Sequence, residues 1–287
     1  MNAIFRKIAV IIEISLVFLL VPYLTKSVYL VFPGFEAWQT DTLGFPVAPF
    51  VYVVEAGLSV LVILLHRRKL ADYGLHFHQL KYQLDIAGKC FFPIAISWLP
   101  LAFGLDERAW SGAIPLAAIQ IGLLLAIAVI LRKKTLLPAA GATSALILFL
   151  PSVASAAQPV VVKAVVIFLF YALFVAFGEE ILFRGYMQSR LNEIFGKPYQ
   201  FFGVPFGWGA IITAMVFGLM HVGIFRWILG VNTLVTFAWG FWTIFAGLVN
   251  SFVREKSGGI LAPALLHGLP QAIASVMMLF MPISGLG

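Results

Sequence analysis

Charge is scarce in this chain. Of its 287 residues only 11% are Asp, Glu, Lys or Arg, against 62% hydrophobic, and the mean hydropathy is +1.01. Soluble domains carry about 25% charged residues, so a soluble globular fold is excluded. Cysteine is nearly absent too. The single Cys90 rules out an internal disulfide and, set in an apolar run, reads as a small core or lipid-facing residue. Signatures of several hydrolase chemistries are missing as well. There is no His-Glu-x-x-His, no Gly-x-Ser-x-Gly elbow and no Gly-x-Gly-Asp. Internal repeats, low-complexity tracts and any polar block that could form a separate soluble domain are likewise lacking.

What is present is a succession of apolar runs. A spanning helix needs about 20 mostly apolar residues. Candidate spans are 8–32, 49–65, 86–104, 113–131, 136–156, 160–178, 206–222, 228–250 and 260–282. Pro22 and Lys26 suggest that the first ends early, and Pro138 and Pro151 make the fifth irregular. The expectation is an all-α, polytopic membrane helical bundle of eight or nine transmembrane helices, forming one domain over 1–287. Arg6, Lys7 and the apolar run after them look like a secretory signal, but no small-residue cleavage site follows Pro22, so a retained first span is expected.

The net charge of +7 raises the question of nucleic acid. The placement of the charges answers it, because the basic residues sit in short loops between spans. With the N-terminus inside, Arg6, Lys7, the Arg67–Lys89 group, Arg132–Lys134, the Arg184–Lys197 group, Arg254 and Lys256 fall on the cytoplasmic side. Only Lys26, Arg108, Lys163 and Arg226 fall outside. This asymmetry predicts an integral protein of the cell membrane with a cytoplasmic N-terminus and no nucleic-acid partner. Residues 66–85 read as a juxtamembrane linker whose basic groups face anionic headgroups. Its His76 and His78 read as a solvated pair rather than a metal site.

Polar residues inside such a bundle are expensive and by default mark function. Three groups stand out. Glu179 and Glu180 end an apolar run whose one charge is Lys163. Glu180 and Arg184 are four apart and share a helix face, while Glu179 points about 100° away. The expectation is that Arg184 neutralises Glu180 and that Glu179 faces a polar cavity, where desolvation makes a carboxylate a better base. His221 closes an apolar stretch with Phe217 one turn before it. His267 and Gln271 lie one turn apart, with Gly268 and Pro270 between them permitting close helix contact and a kink. Each group alone also suits a structural clamp. All three on successive C-terminal segments favour a single site, and their confinement to the C-terminal third disfavours a proton-coupled transporter with related halves.

In order and spacing these groups resemble the CAAX prenyl protease and bacteriocin-processing family of intramembrane glutamic endopeptidases. The matching stretches are Glu179-Glu180-Ile-Leu-Phe-Arg184, Phe217-Gly-Leu-Met-His221 and His267-Gly-Leu-Pro-Gln271, with Ser257-Gly-Gly-Ile-Leu-Ala-Pro before the last. The resemblance covers about 160–282, which would be the catalytic core. It implies a peptidase cutting a membrane-embedded or lipidated peptide near the cytoplasmic leaflet. Glu179 would be the general base, His221 its partner on water, and His267 with Gln271 the oxyanion donors, with Glu180, Arg184 and Phe217 in support. No cofactor is expected, with zinc on the two histidines and a glutamate as the lesser alternative. The family usually has asparagine where this chain has Gln271, so donor placement is one methylene longer. The competing readings are a non-catalytic immunity or assembly factor of the same fold and a transporter.

Overall fold

The computed structural model describes residues 3–132, 158–223 and 235–280. It is helical nearly throughout. The long helices are α1 (Ala3–Val31), α2 (Phe50–Leu65), α3 (Leu80–Ser97), α4 (Trp110–Arg132), α5 (Pro159–Phe195), α6 (Trp208–His221), α7 (Phe237–Ser257) and α8 (Leu261–Phe280). Five of them, α1, α5, α8, α4 and a stretch from Leu80 to Leu101 that includes α3, are long and apolar enough to cross a membrane. Helices α2 and α6 are apolar but shorter. The expected span at 136–156 lies outside the described residues. Large apolar side chains such as Leu16, Leu19, Phe92, Ile114 and Leu173 stay exposed on the bundle's exterior, which suits lipid and not water.

Two expectations need correction. Helix α1 does not end early: it runs through Pro22 and carries Lys26, exposed, within the same helix. The helix at 160–178 does not stop at the glutamates but continues to Phe195. The charges that seemed to end it are paired inside the bundle instead. Arg184 meets Glu180, and Arg190 meets Glu193 and the distant Glu13 of α1, at 3.0 Å for the latter. Glu13 also takes Arg68 at 2.7 Å and the Tyr186 hydroxyl at 2.8 Å. The all-α expectation holds, with one short hairpin, β1 (Tyr199–Phe201) and β2 (Val204–Phe206), joining α5 to α6 and pairing Tyr199 with Phe206. Phe201 packs edge-on against Phe252 of α7, which anchors the hairpin to the bundle.

Loop contacts sort the bundle's two ends. At one end Ile260 N–H donates to Gly74 O (3.1 Å), His76 Nε2 meets Gly258 O (3.2 Å), and the Tyr73 hydroxyl donates to Glu193 (2.9 Å). Burial and the adjacent Glu193 push the Tyr73 phenol above its ordinary range. At the other end the Thr236 hydroxyl donates to Arg108 O (2.8 Å). The loops grouped at the first end are those whose basic residues predict the cytoplasmic side. With Cys90 replaced, single cysteines at 67 and 256 should stay unlabelled by an impermeant maleimide on intact cells, while one at 108 reacts. External labelling at 67 would overturn the orientation.

Candidate active site

The Glu179–Arg184 segment sits in the middle of α5, not at its end. Here α5 is not a uniform α-helix: wide π-type turns at Phe170–Val175 and Ile181–Met187 bracket the regular turn Ala176–Glu180. Such turns rotate the following side chains relative to a regular helix and recur at functional sites. Two glycines then let neighbouring helices touch this turn. A Cβ on Gly178 would lie 2.6 Å from Tyr52 Cβ of α2, and one on Gly268 would lie 2.5 Å from Ala176 Cβ. Both are closer than side chains permit, so α2 and α8 approach α5 at backbone range here. The second contact is the close approach expected of Gly268, and it brings His267 onto the glutamates. Helix α8 continues through Pro270, which leaves the Leu266 carbonyl without its helical donor.

Glu180 and Arg184 are fully buried, with Nη1 to Oε1 at 2.9 Å. The guanidinium also donates to Gly247 O at 3.1 Å and stacks 4.5 Å from the Phe217 ring centroid. His267 Nδ1 meets the same Glu180 oxygen at 2.9 Å, and its Nε2 lies 3.7 Å from Glu179 Oε2, too long for a hydrogen bond. One imidazole therefore holds the Glu180 carboxyl and lies beside that of Glu179. His221 uses Nδ1 on its own helix, at 2.8 Å from Phe217 O. Its ring sits between Phe217 (centroids 4.5 Å) and Trp239 (5.2 Å). With Nδ1–H donating, neutral His221 presents an Nε2 lone pair.

A cavity of about 520 Å³ adjoins this cluster. His221, His267, Gln271 and Phe217 line it, with Asn250 of α7. Trp239, Trp242 and Tyr171 also line it, with Asp106, Glu107 and Arg108. Burial pushes the Glu107 carboxyl up, against the pull of Arg108. Glu179 is not in the cavity wall, contrary to expectation. The Gly178 contact turns it toward α2 and the His267 edge, and its side chain is 14% exposed.

Each residue named from the sequence thus lies in one cluster or its lining: Glu179, Glu180, Arg184, Phe217, His221, His267 and Gln271. The sequence reading missed Asn250 and Glu55. Asn250 Nδ2 donates to Glu180 Oε1 at 3.4 Å, and Glu55 of α2 is buried beside Glu179. Both are polar residues within apolar helices, the same signal that flagged the histidines. Elsewhere, His76 and His78 rings stand 5.3 Å apart at the surface, and Cys90 is buried. Among the described residues no group of three His, Cys, Asp or Glu is spaced to hold a metal ion.

The site also has a sequence relative. The family model for Rce1-like proteins, described as type II CAAX prenyl endopeptidase Rce1-like, matches residues 161–273. The match begins in α5, ends in α8 and takes in all seven site residues. No curated protein and no solved structure matches the chain.

Proposed function

We propose that this integral membrane protein is a glutamate-dependent intramembrane endopeptidase, a reading supported by the match of residues 161–273 to the family model described as type II CAAX prenyl endopeptidase Rce1-like. The observation that supports it most is the convergence of three sequence-distant motifs on one cluster around a buried ion pair, beside the cavity that two of them line. Counted along α8, His267 lies six residues from the Leu261 end, so the reaction centre is about 9 Å below the basic end of the bundle. A peptide lying in or anchored to that leaflet is the proposed substrate, with the N-terminus of the protein cytoplasmic.

In this reading the Glu179 carboxylate takes a proton from a water, and the resulting hydroxide adds to the scissile carbonyl in the cavity. His221, whose Nε2 lone pair is free, accepts the water's second hydrogen and orients it. The tetrahedral oxyanion takes a hydrogen bond from the Gln271 amide. His267 spends Nδ1 on Glu180 and turns Nε2 toward Glu179, so we assign it to holding the two carboxyls and only secondarily to the oxyanion. As the C–N bond breaks, the proton on Glu179 passes to the leaving amine. The Glu180–Arg184 pair keeps the local charge fixed through these steps, and no metal or cofactor takes part.

Mass spectrometry of a membrane-peptide library, incubated with the purified protein and with Glu179→Ala, tests the activity. Cleavage products should appear only with the parent protein. If the parent cleaves nothing in any lipid-anchored or apolar peptide, the non-catalytic membrane factor of the same fold becomes the better account. Gln271 supplies a finer check. An oxyanion donor is worth about 100- to 1000-fold in kcat, so Gln271→Ala should lower kcat by that much with KM little changed. Gln271→Asn should retain turnover. A silent Gln271→Ala would transfer the role to another amide on the wall, Asn250 or Gln120.

A further inference from the structure

The proposed chemistry leaves one buried carboxyl unused. Glu55, on α2, is 3% exposed, and its Oε2 has no hydrogen-bond partner among the described residues. The nearby Ser59 hydroxyl serves Glu55's backbone oxygen (2.7 Å), not its side chain. What Glu55 faces is Glu179. Helices α2 and α5 meet backbone to backbone where Tyr52 packs on Gly178. Glu55 stands one turn beyond Tyr52 on the same face of α2, and Glu179 directly follows Gly178. The two carboxyls are near enough to interact electrostatically. Glu179 Oε2 is also buried without a hydrogen-bond partner.

The charges around this pair do not balance. Three carboxyls, Glu55, Glu179 and Glu180, share one guanidinium, Arg184, and that is bonded to Glu180. From α8, His267 also directs Nδ1 to Glu180, and from α6, His221 gives Nδ1 to its own backbone. Helix α1 packs on α2 as well, but its Glu13 is held by Arg68, Arg190 and Tyr186. Among the described residues no ion pair forms at Glu55, and the charged group acting on it is Glu179. Two adjacent carboxylates in a low-dielectric interior repel, and such pairs settle by retaining one proton between them.

We propose that Glu55 is a positioning residue for the base: it keeps its proton and donates a hydrogen bond to the Glu179 carboxylate. The donated bond satisfies the otherwise unpartnered Glu179 oxygen and fixes the carboxylate's orientation, leaving its other oxygen for the water. This rests on Glu179 being the base.

Two measurements separate this from a packing role. Infrared spectra of the purified protein in lipid discs, taken as the difference between parent and Glu55→Gln, should show the carbonyl stretch of one protonated carboxylic acid, lost in the variant. The second is the pH profile of kcat/KM on the peptide found by library screening. Glu55→Leu removes the donor, so the acid limb should move up by about one pH unit, a tenfold loss on the acid side. Glu55→Gln still donates from its amide, and its limb should stay in place. Persistence of the infrared band in Glu55→Gln, or an unmoved limb in Glu55→Leu, overturns the proposal. If Glu55→Leu does not fold, the band and the Glu55→Gln limb decide. If the parent protein cleaves nothing, it is the peptidase reading that fails, while the infrared band still decides the state of Glu55.

Discussion

Glu179→Gln should leave a folded protein that hydrolyses its peptide at least 100-fold and up to about 10,000-fold more slowly, the range a general base contributes. The substitution preserves shape and removes only the ability to accept a proton. Glu179 has no bonded cation among the described residues, its nearest basic atom being His267 Nε2 at 3.7 Å, so little fold stability is at stake. Its neighbour differs on each of these points: Glu180 is fully buried and takes Arg184, His267 and Asn250 on one oxygen. Kinetics on the cleaved peptide, with a melting curve in the same detergent, provide the check. A Glu179→Gln protein that retains more than a tenth of parental kcat/KM would falsify the assignment of the base. One that fails to fold would shift Glu179 to a structural role.

Arg184→Ala should have the largest effect on stability, about 3–5 kcal/mol, the loss typical of removing one partner of a buried ion pair. The guanidinium is fully buried and holds three elements at once: Glu180 on its own helix, the Gly247 carbonyl of α7, and the Phe217 ring of α6. Alanine leaves a cavity and a carboxylate with no guanidinium. Lysine should fare little better, because a single ammonium cannot reproduce two directed N–H bonds and a stacked plane. Replacing both charges, as in Glu180→Met with Arg184→Met, should recover part of the loss, since no unpaired charge then stays buried. Thermal melting of the three variants tests this. Equal melting temperatures for parent and Arg184→Ala would show that the cluster carries no fold stability.

These expectations draw on two levels of information. Spacing alone determined the Glu180–Arg184 pair, because residues four apart on a helix meet whatever else surrounds them. Composition determined that lipid is the solvent, and the distribution of Lys and Arg put the 66–85 loop with Arg254 and Lys256, segments that the structure joins through Ile260 and His76. The three polar motifs were legible because buried polarity in an apolar run is costly and so conspicuous. The apolar-window argument failed at residue 178. It counts each charge as exposed, and whether Arg190 is exposed depends on Glu13, 177 residues earlier.

Only the tertiary structure decided which carboxyl meets which base. The π-type turns on either side of Ala176–Glu180 and the glycine contacts at 178 and 268 set the side-chain directions around the site, and neither follows from the period of the sequence. They aimed His267 at both glutamates, turned Glu179 from the cavity toward α2, and brought Glu55 and Asn250 to a site to which the sequence had not assigned them. Polarity and local spacing act within one helix and can be read along the chain. The pairing of buried charges acts between helices, and its energy exists only once their backbones are in contact.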